Sequence, residues 1–147
     1  MGEGTLRSLL PPELADQVVV RSAGTGAVGG VPATTLAVGT TAGRGIDIRN
    51  HRSTEVTPDL LRSADLILCM EPTHVARVRE LAPEKAEQIH LITEQSTEGA
   101  EASRTGIYDP IGGSAVEYDD TFNRIRSHLL RWLPLIREAV ERRQGVR

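Results

Sequence analysis

The sequence holds a single cysteine, Cys69, which excludes an intramolecular disulfide framework and fits a reducing, cytoplasmic setting. Long apolar runs are absent. No stretch approaches the roughly 18 consecutive apolar residues of a membrane span. The amino terminus has no apolar core of a signal peptide: Glu3 is acidic and Pro11-Pro12 follows. Basic excess is also missing. The formal net charge is -3, which argues against a general nucleic-acid binder. Sixteen of the seventeen basic residues are arginine, which biased codon usage explains more readily than a use in anion recognition. The four histidines have no metal-ligand spacing, and no second cysteine assists them.

What is present reads as one globular domain. Apolar residues make up 39% of the 147 and charged residues 25%. Residues 2–10 have helical spacing of Leu6, Leu9 and Leu10, stopped by Pro11 and Pro12. Residues 17–22, with Val18-Val19-Val20, predict a short buried strand running into Ala23-Gly24-Thr25-Gly26 and Gly29-Gly30. A helix is predicted from Pro32 to about Arg44. Another begins at Thr57-Pro58-Asp59, where a capping hydroxyl precedes a proline and an acid. The apolar run at 65–70 suits a strand of a parallel sheet. A helix over 73–81 and a strand over 88–92 follow, then a polar loop over 93–107. The last helix, 115–143, carries Phe122, Ile125, Leu129, Trp132, Leu133, Ile136 and Val140 at helical spacing, with a kink predicted at Pro134. The alternation of strands and helices predicts an α/β fold with a parallel sheet flanked by helices. Only three strands are visible, which is few for such a sheet.

Four constellations carry candidate chemistry. Gly24-x-Gly26-x-x-Gly29 matches the spelling of a dinucleotide fingerprint, with Asp47 as its acid, but the match stands alone. Cys69 has Val75 where a phosphate-binding Cys-x-x-x-x-x-Arg loop needs arginine, and it lies in an apolar strand that makes a thiol inert. His51 sits in a turn crowded with arginine and serine; it either serves a site or bonds nearby backbone. His74 and His128 read as solvated or helix-surface residues. Tyr108-Asp109-Pro110-Ile111-Gly112-Gly113 offers one carboxylate in an irregular region, although Asp-Pro alone is a common turn. The acids Asp119-Asp120 suit the dipole at the start of the last helix.

Together these segments resemble the low-molecular-weight protein-tyrosine-phosphatase family across nearly the whole chain. The resemblance is carried by Val19-Val20-Arg21-Ser22-Ala23-Gly24-Thr25, by Gly45-Ile46-Asp47 with His51-Arg52-Ser53, by 64–71, and by Asp109-Pro110 before the last helix. It implies a three-layer α/β domain over residues 1–147 and a metal-free, cofactor-free hydrolase. In that mechanism a loop cysteine attacks phosphate to form a cysteinyl phosphate, and the aspartate protonates the leaving group, then activates water. The resemblance assigns Asp109 to this acid and base role, and Ser22 and His51 to support of the catalytic loop. It also implies that the family's first strand and Cys-x-x-x-x-x-Arg loop would lie ahead of Met1. The domain is therefore expected to be incomplete at its amino terminus, and the 147 residues inactive by themselves. The alternative is a non-catalytic remnant that binds phosphate or a partner. Implied partners are phosphorylated protein or a small phosphate ester, with no nucleic acid and no membrane. Ile111-Gly112-Gly113-Ser114 with Tyr118 is similar to the bacterial branch that includes protein-arginine phosphatases, so phosphotyrosine and phosphoarginine both stand as substrates. Related arsenate reductases need further cysteines, which this chain does not have.

Overall fold

The computed structural model describes residues 1–26 and 28–145. In chain order its elements are helices α1 (Gly2–Leu9), α2 (Pro12–Ala15), α3 (Thr35–Ala42) and α4 (Pro58–Arg62), strand β1 (Ile67–Cys69), helix α5 (Pro72–Leu81), strand β2 (Ile89–Leu91), and helices α6 (Ala100–Thr105) and α7 (Ala115–Arg143). Short 3-10 turns flank β2 at Pro83–Gln88 and Ile92–Gln95. The fold is α/β, with a parallel sheet flanked by helices. Contacts group the chain into two compact units, each assembled from separate stretches of sequence.

The first unit comprises 1–22, 32–51 and the segment from Pro110 onward, and its helices are α1, α2, α3 and α7. Helix α7 is its spine. Ser114 caps α7 by accepting the Glu117 amide at 3.3 Å, a serine-to-glutamate capping spacing. Phe122, Ile125, Leu129, Trp132 and Ile136 are buried along one stripe, as periodicity predicts, and Tyr118 and His128 join it. The helix continues across Pro134. Leu130, whose carbonyl loses its helical donor to that proline, lies on the exposed face. Thr34 caps α3 by accepting the Ala37 amide, and its hydroxyl donates to the Tyr118 hydroxyl at 3.1 Å. The helix therefore starts later than the Pro32 predicted from sequence, because the capping hydroxyl decides the boundary.

The second unit comprises 23–31 and 52–109 and holds the sheet. Strands β1 and β2 are parallel, in register Ile67 to Ile89 and Cys69 to Leu91. Helix α5 packs on both strands. The core joins Leu61, Cys69, Val78, Ala82 and Ile89. Thr57 accepts the Leu60 amide at 3.1 Å and starts α4 as its sequence dictates.

Two expectations need correction. Residues 17–22 form no strand: Val19 is 81% exposed and only Val20 is buried. β-Branched residues favour extended backbone, but a strand exists only where a neighbour closes its ladder, and none of the described residues does so here. The stretch 93–107 is not simply loop. It contains a 3-10 turn and α6, organised around the fully buried Thr93.

Candidate active site

Residues from three places in the first unit meet on one carboxylate, that of Glu3 in the first turn of α1. Its Oε2 accepts from Arg7 Nη1 at 2.7 Å and lies 3.5 Å from His51 Nδ1. Its Oε1 accepts from the Ser22 hydroxyl at 3.0 Å. Arg7 spans onward, donating Nη2 to the Val20 carbonyl at 2.7 Å. The Glu3 side chain is 15% exposed, and its oxygens face these partners. The turn carrying His51 is closed by its own amide donating to the Ile48 carbonyl. Gly4 lets α1 approach that turn: a Cβ there would lie 2.8 Å from the Ile48 Cγ2 methyl. Ser22 and His51, both singled out by sequence, are thus brought together. Glu3, which joins them, was missed. The available signal was an acid and an arginine at i and i+4 on the first helix.

Asp109 belongs to the second unit and is exposed. The backbone just ahead of it is held firmly. The Ile107 amide donates to the Met70 carbonyl at 2.7 Å, immediately past the carboxyl end of β1. Ile107 itself is 2% exposed. Gly106 has φ +77 and packs so closely on the Met70 carbonyl that a Cβ would collide with it. The Gly106 amide donates to Thr93 Oγ1 at 3.1 Å, while the same hydroxyl donates to the Ser103 carbonyl at 3.1 Å. A carboxyl group presented on such a segment, at the carboxyl end of a parallel strand, is placed where α/β folds handle ligands. It can give a proton to a leaving oxygen and take one from water.

The remaining candidates resolve differently. Cys69 is buried at the end of β1, and burial pushes its thiol up to about 11, opposed in part by the charge of Arg79. Such a thiol carries almost no thiolate near neutrality. Gly24 bridges to Glu55, with hydrogen bonds to Thr54 and Val56, and no helix opens at Gly29; the next, α3, begins at Thr35. The dinucleotide reading therefore lacks its helix. Asp47 is occupied by Arg49, whose Nε and Nη2 donate at 3.0 and 2.9 Å and hold the carboxyl down at about 2. His128 is buried in the α7 stripe rather than lying on its surface; His74 is half-buried. Asp119 pairs with Arg44 at 2.8 Å, and the Arg44 guanidinium lies 4.5 Å from the Phe122 ring centre, so this acid helps join α3 to α7. Among the described residues no group of three His, Cys, Asp or Glu side chains could hold a metal, and no helix is long and apolar enough to cross a membrane.

A family model described as low molecular weight phosphotyrosine protein phosphatase matches residues 1–144. The chain is 31% identical over 137 residues to the probable low molecular weight protein-tyrosine-phosphatase EpsP of Ralstonia nicotianae, covering 93% of this chain and 86% of EpsP. It superposes on the tyrosine phosphatase Wzb of Escherichia coli K30, solved with sulphate, with a TM-score of 0.76 at 27% identity, over 89% of this chain and 84% of Wzb. The arginine phosphatase YwlE, as a cysteine-to-serine mutant with a phosphorylated active-site serine, gives a TM-score of 0.76 at 26% identity, over 93% of this chain and 84% of YwlE.

Proposed function

Because the chain belongs to the low molecular weight phosphotyrosine protein phosphatase family, we propose that it serves hydrolysis of phosphorylated protein side chains, with Asp109 as general acid and then general base. The observation that carries this role is the clamp behind Asp109, where Ile107 is tied to Met70 at the carboxyl end of β1. A positioned carboxyl group can protonate the leaving oxygen and afterwards activate water. Ser22 and His51, gathered by Glu3 within the first unit, would support the family's catalytic loop where that loop is supplied. The substrate is a phosphotyrosine or phosphoarginine side chain. Similarity to YwlE and the run Ile111-Gly112-Gly113-Ser114 favour including the second.

The attacking thiol is not Cys69. The cysteinyl-phosphate step needs an accessible thiolate, and burial denies Cys69 that form. We therefore propose that the 147 residues supply the acid and its supports but no nucleophile, and that they do not turn over alone. The same observation favours, as second reading, a non-catalytic chain that binds a phosphorylated partner. A chimera separates the two. A family strand and Cys-x-x-x-x-x-Arg loop is placed ahead of Met1 and assayed on phosphotyrosine and phosphoarginine peptides. The enzyme reading expects hydrolysis, with Asp109→Asn lowering kcat by roughly 100-fold or more. A folded, inactive chimera, or an Asp109→Asn form as fast as its parent, contradicts it.

A further inference from the structure

We propose that Thr93 is a positioning residue for Asp109, acting through its hydroxyl on the backbone of Gly106. Thr93 is 0% exposed, on the 3-10 turn that follows β2. A buried hydroxyl is retained where it has both a donor and an acceptor to satisfy. Thr93 has both: it gives its proton to the Ser103 carbonyl in α6 and receives the Gly106 amide. It thereby closes the carboxyl end of α6, whose capping residue is Gly106. The next amide, Ile107, is taken by Met70 at the end of β1. Two successive amides, two and three residues ahead of Asp109, are thus fixed to the two strands' carboxyl ends. Beyond Ile107 the chain emerges: Tyr108 and Asp109 are both exposed. Asp109 therefore follows a backbone held by two adjacent anchors, the Thr93 hydroxyl at Gly106 and the Met70 carbonyl at Ile107.

The catalytic meaning of this device rests on the acid role of Asp109 proposed above, but its test does not need turnover. Amide hydrogen exchange and backbone 15N relaxation are measured on the 147-residue chain and on its Thr93→Val, Thr93→Ser and Thr105→Val forms. Thr93→Val keeps the shape and removes the hydroxyl. We expect Gly106 to exchange about fivefold to tenfold faster, the equivalent of one net hydrogen bond, and the Asp109 amide to gain fast motion. The β1 and β2 amides keep their protection. Thr93→Ser, which restores the hydroxyl, returns both signals. Thr105→Val, which removes a hydroxyl that donates to the Glu101 carbonyl, changes neither. Two results overturn the proposal: uniform loss of protection through the strands, or faster exchange at Gly106 with Asp109 unmoved. Should Thr93→Val fail to fold, Thr93→Ser must still match the parent at Gly106 and Asp109, and a loosened Asp109 there overturns it equally. The chimera assay, not this one, decides whether Asp109 is the acid.

Discussion

Ser22 donates its hydroxyl proton to Glu3, 3.0 Å away and nineteen positions earlier in the chain. That bond ties the extended stretch through Val20 to the first helix. Replacing Glu3 with alanine removes the common acceptor of Arg7 and Ser22 and the neighbour of His51. The expected loss is about 1–2 kcal/mol, because the part-buried Ser22 hydroxyl loses its acceptor while the exposed Arg7 guanidinium turns to water. Urea unfolding checks it. Ser22→Ala in the Glu3→Ala background should add much less than it does alone, since the pair shares one interaction.

Gly4 and Ile48 define a second relationship, one of space. Alanine at position 4 gains roughly 1 kcal/mol of helix propensity, but its Cβ would lie 2.8 Å from Ile48 Cγ2 and 3.1 Å from Ile46 Cγ2. Overpacking of this kind costs about 1–3 kcal/mol. Gly4→Ala should therefore lower Tm, while Gly4→Ala combined with Ile48→Val recovers part of the loss. A rise in Tm from Gly4→Ala alone would show that the helix moves away freely.

Cys69 predicts a pH dependence. Its folded-state pKa is raised from the ordinary 9.0 to about 11 by burial. The thiol is neutral in both states below pH 9, so its contribution to stability is fully present there. Between pH 9 and about 11 the unfolded chain ionises and the folded one does not, so that contribution declines, and it is lost above the folded value. Stability of the parent minus that of Cys69→Ala should fall across this window. A difference that stays flat would mean the thiol is not buried as described. Alkylation at pH 8 should likewise be slow in the folded chain and fast in urea.

Local chemistry made much of the chain legible. Thr57-Pro58-Asp59 starts a helix wherever it stands, because the cap, the fixed φ and the acid act within one turn. The α7 stripe followed from periodicity, and His128 would have followed too, lying three residues after Ile125 and four before Trp132. What escaped depends on distant partners. Val18-Val19-Val20 has strand composition, but the ladder is a property of two segments. Helix α6 has no apolar stripe and owes its place to Thr93, ten residues before Ser103. Among the candidate residues, Ser22, His51 and Asp109 were named through family resemblance. Glu3 and Thr93 were not, because each is an ordinary residue in its local sequence and becomes a hub only in three dimensions.

Under the proposed function, these residues carry a general acid without a nucleophile. This is tested most directly by steady-state hydrolysis of p-nitrophenyl phosphate by the purified 147-residue chain, compared with its Cys69→Ser and Asp109→Asn forms. All three forms are expected to release p-nitrophenolate no faster than buffer. Substantial turnover by the parent, abolished by Cys69→Ser, would contradict this and make the buried thiol the nucleophile.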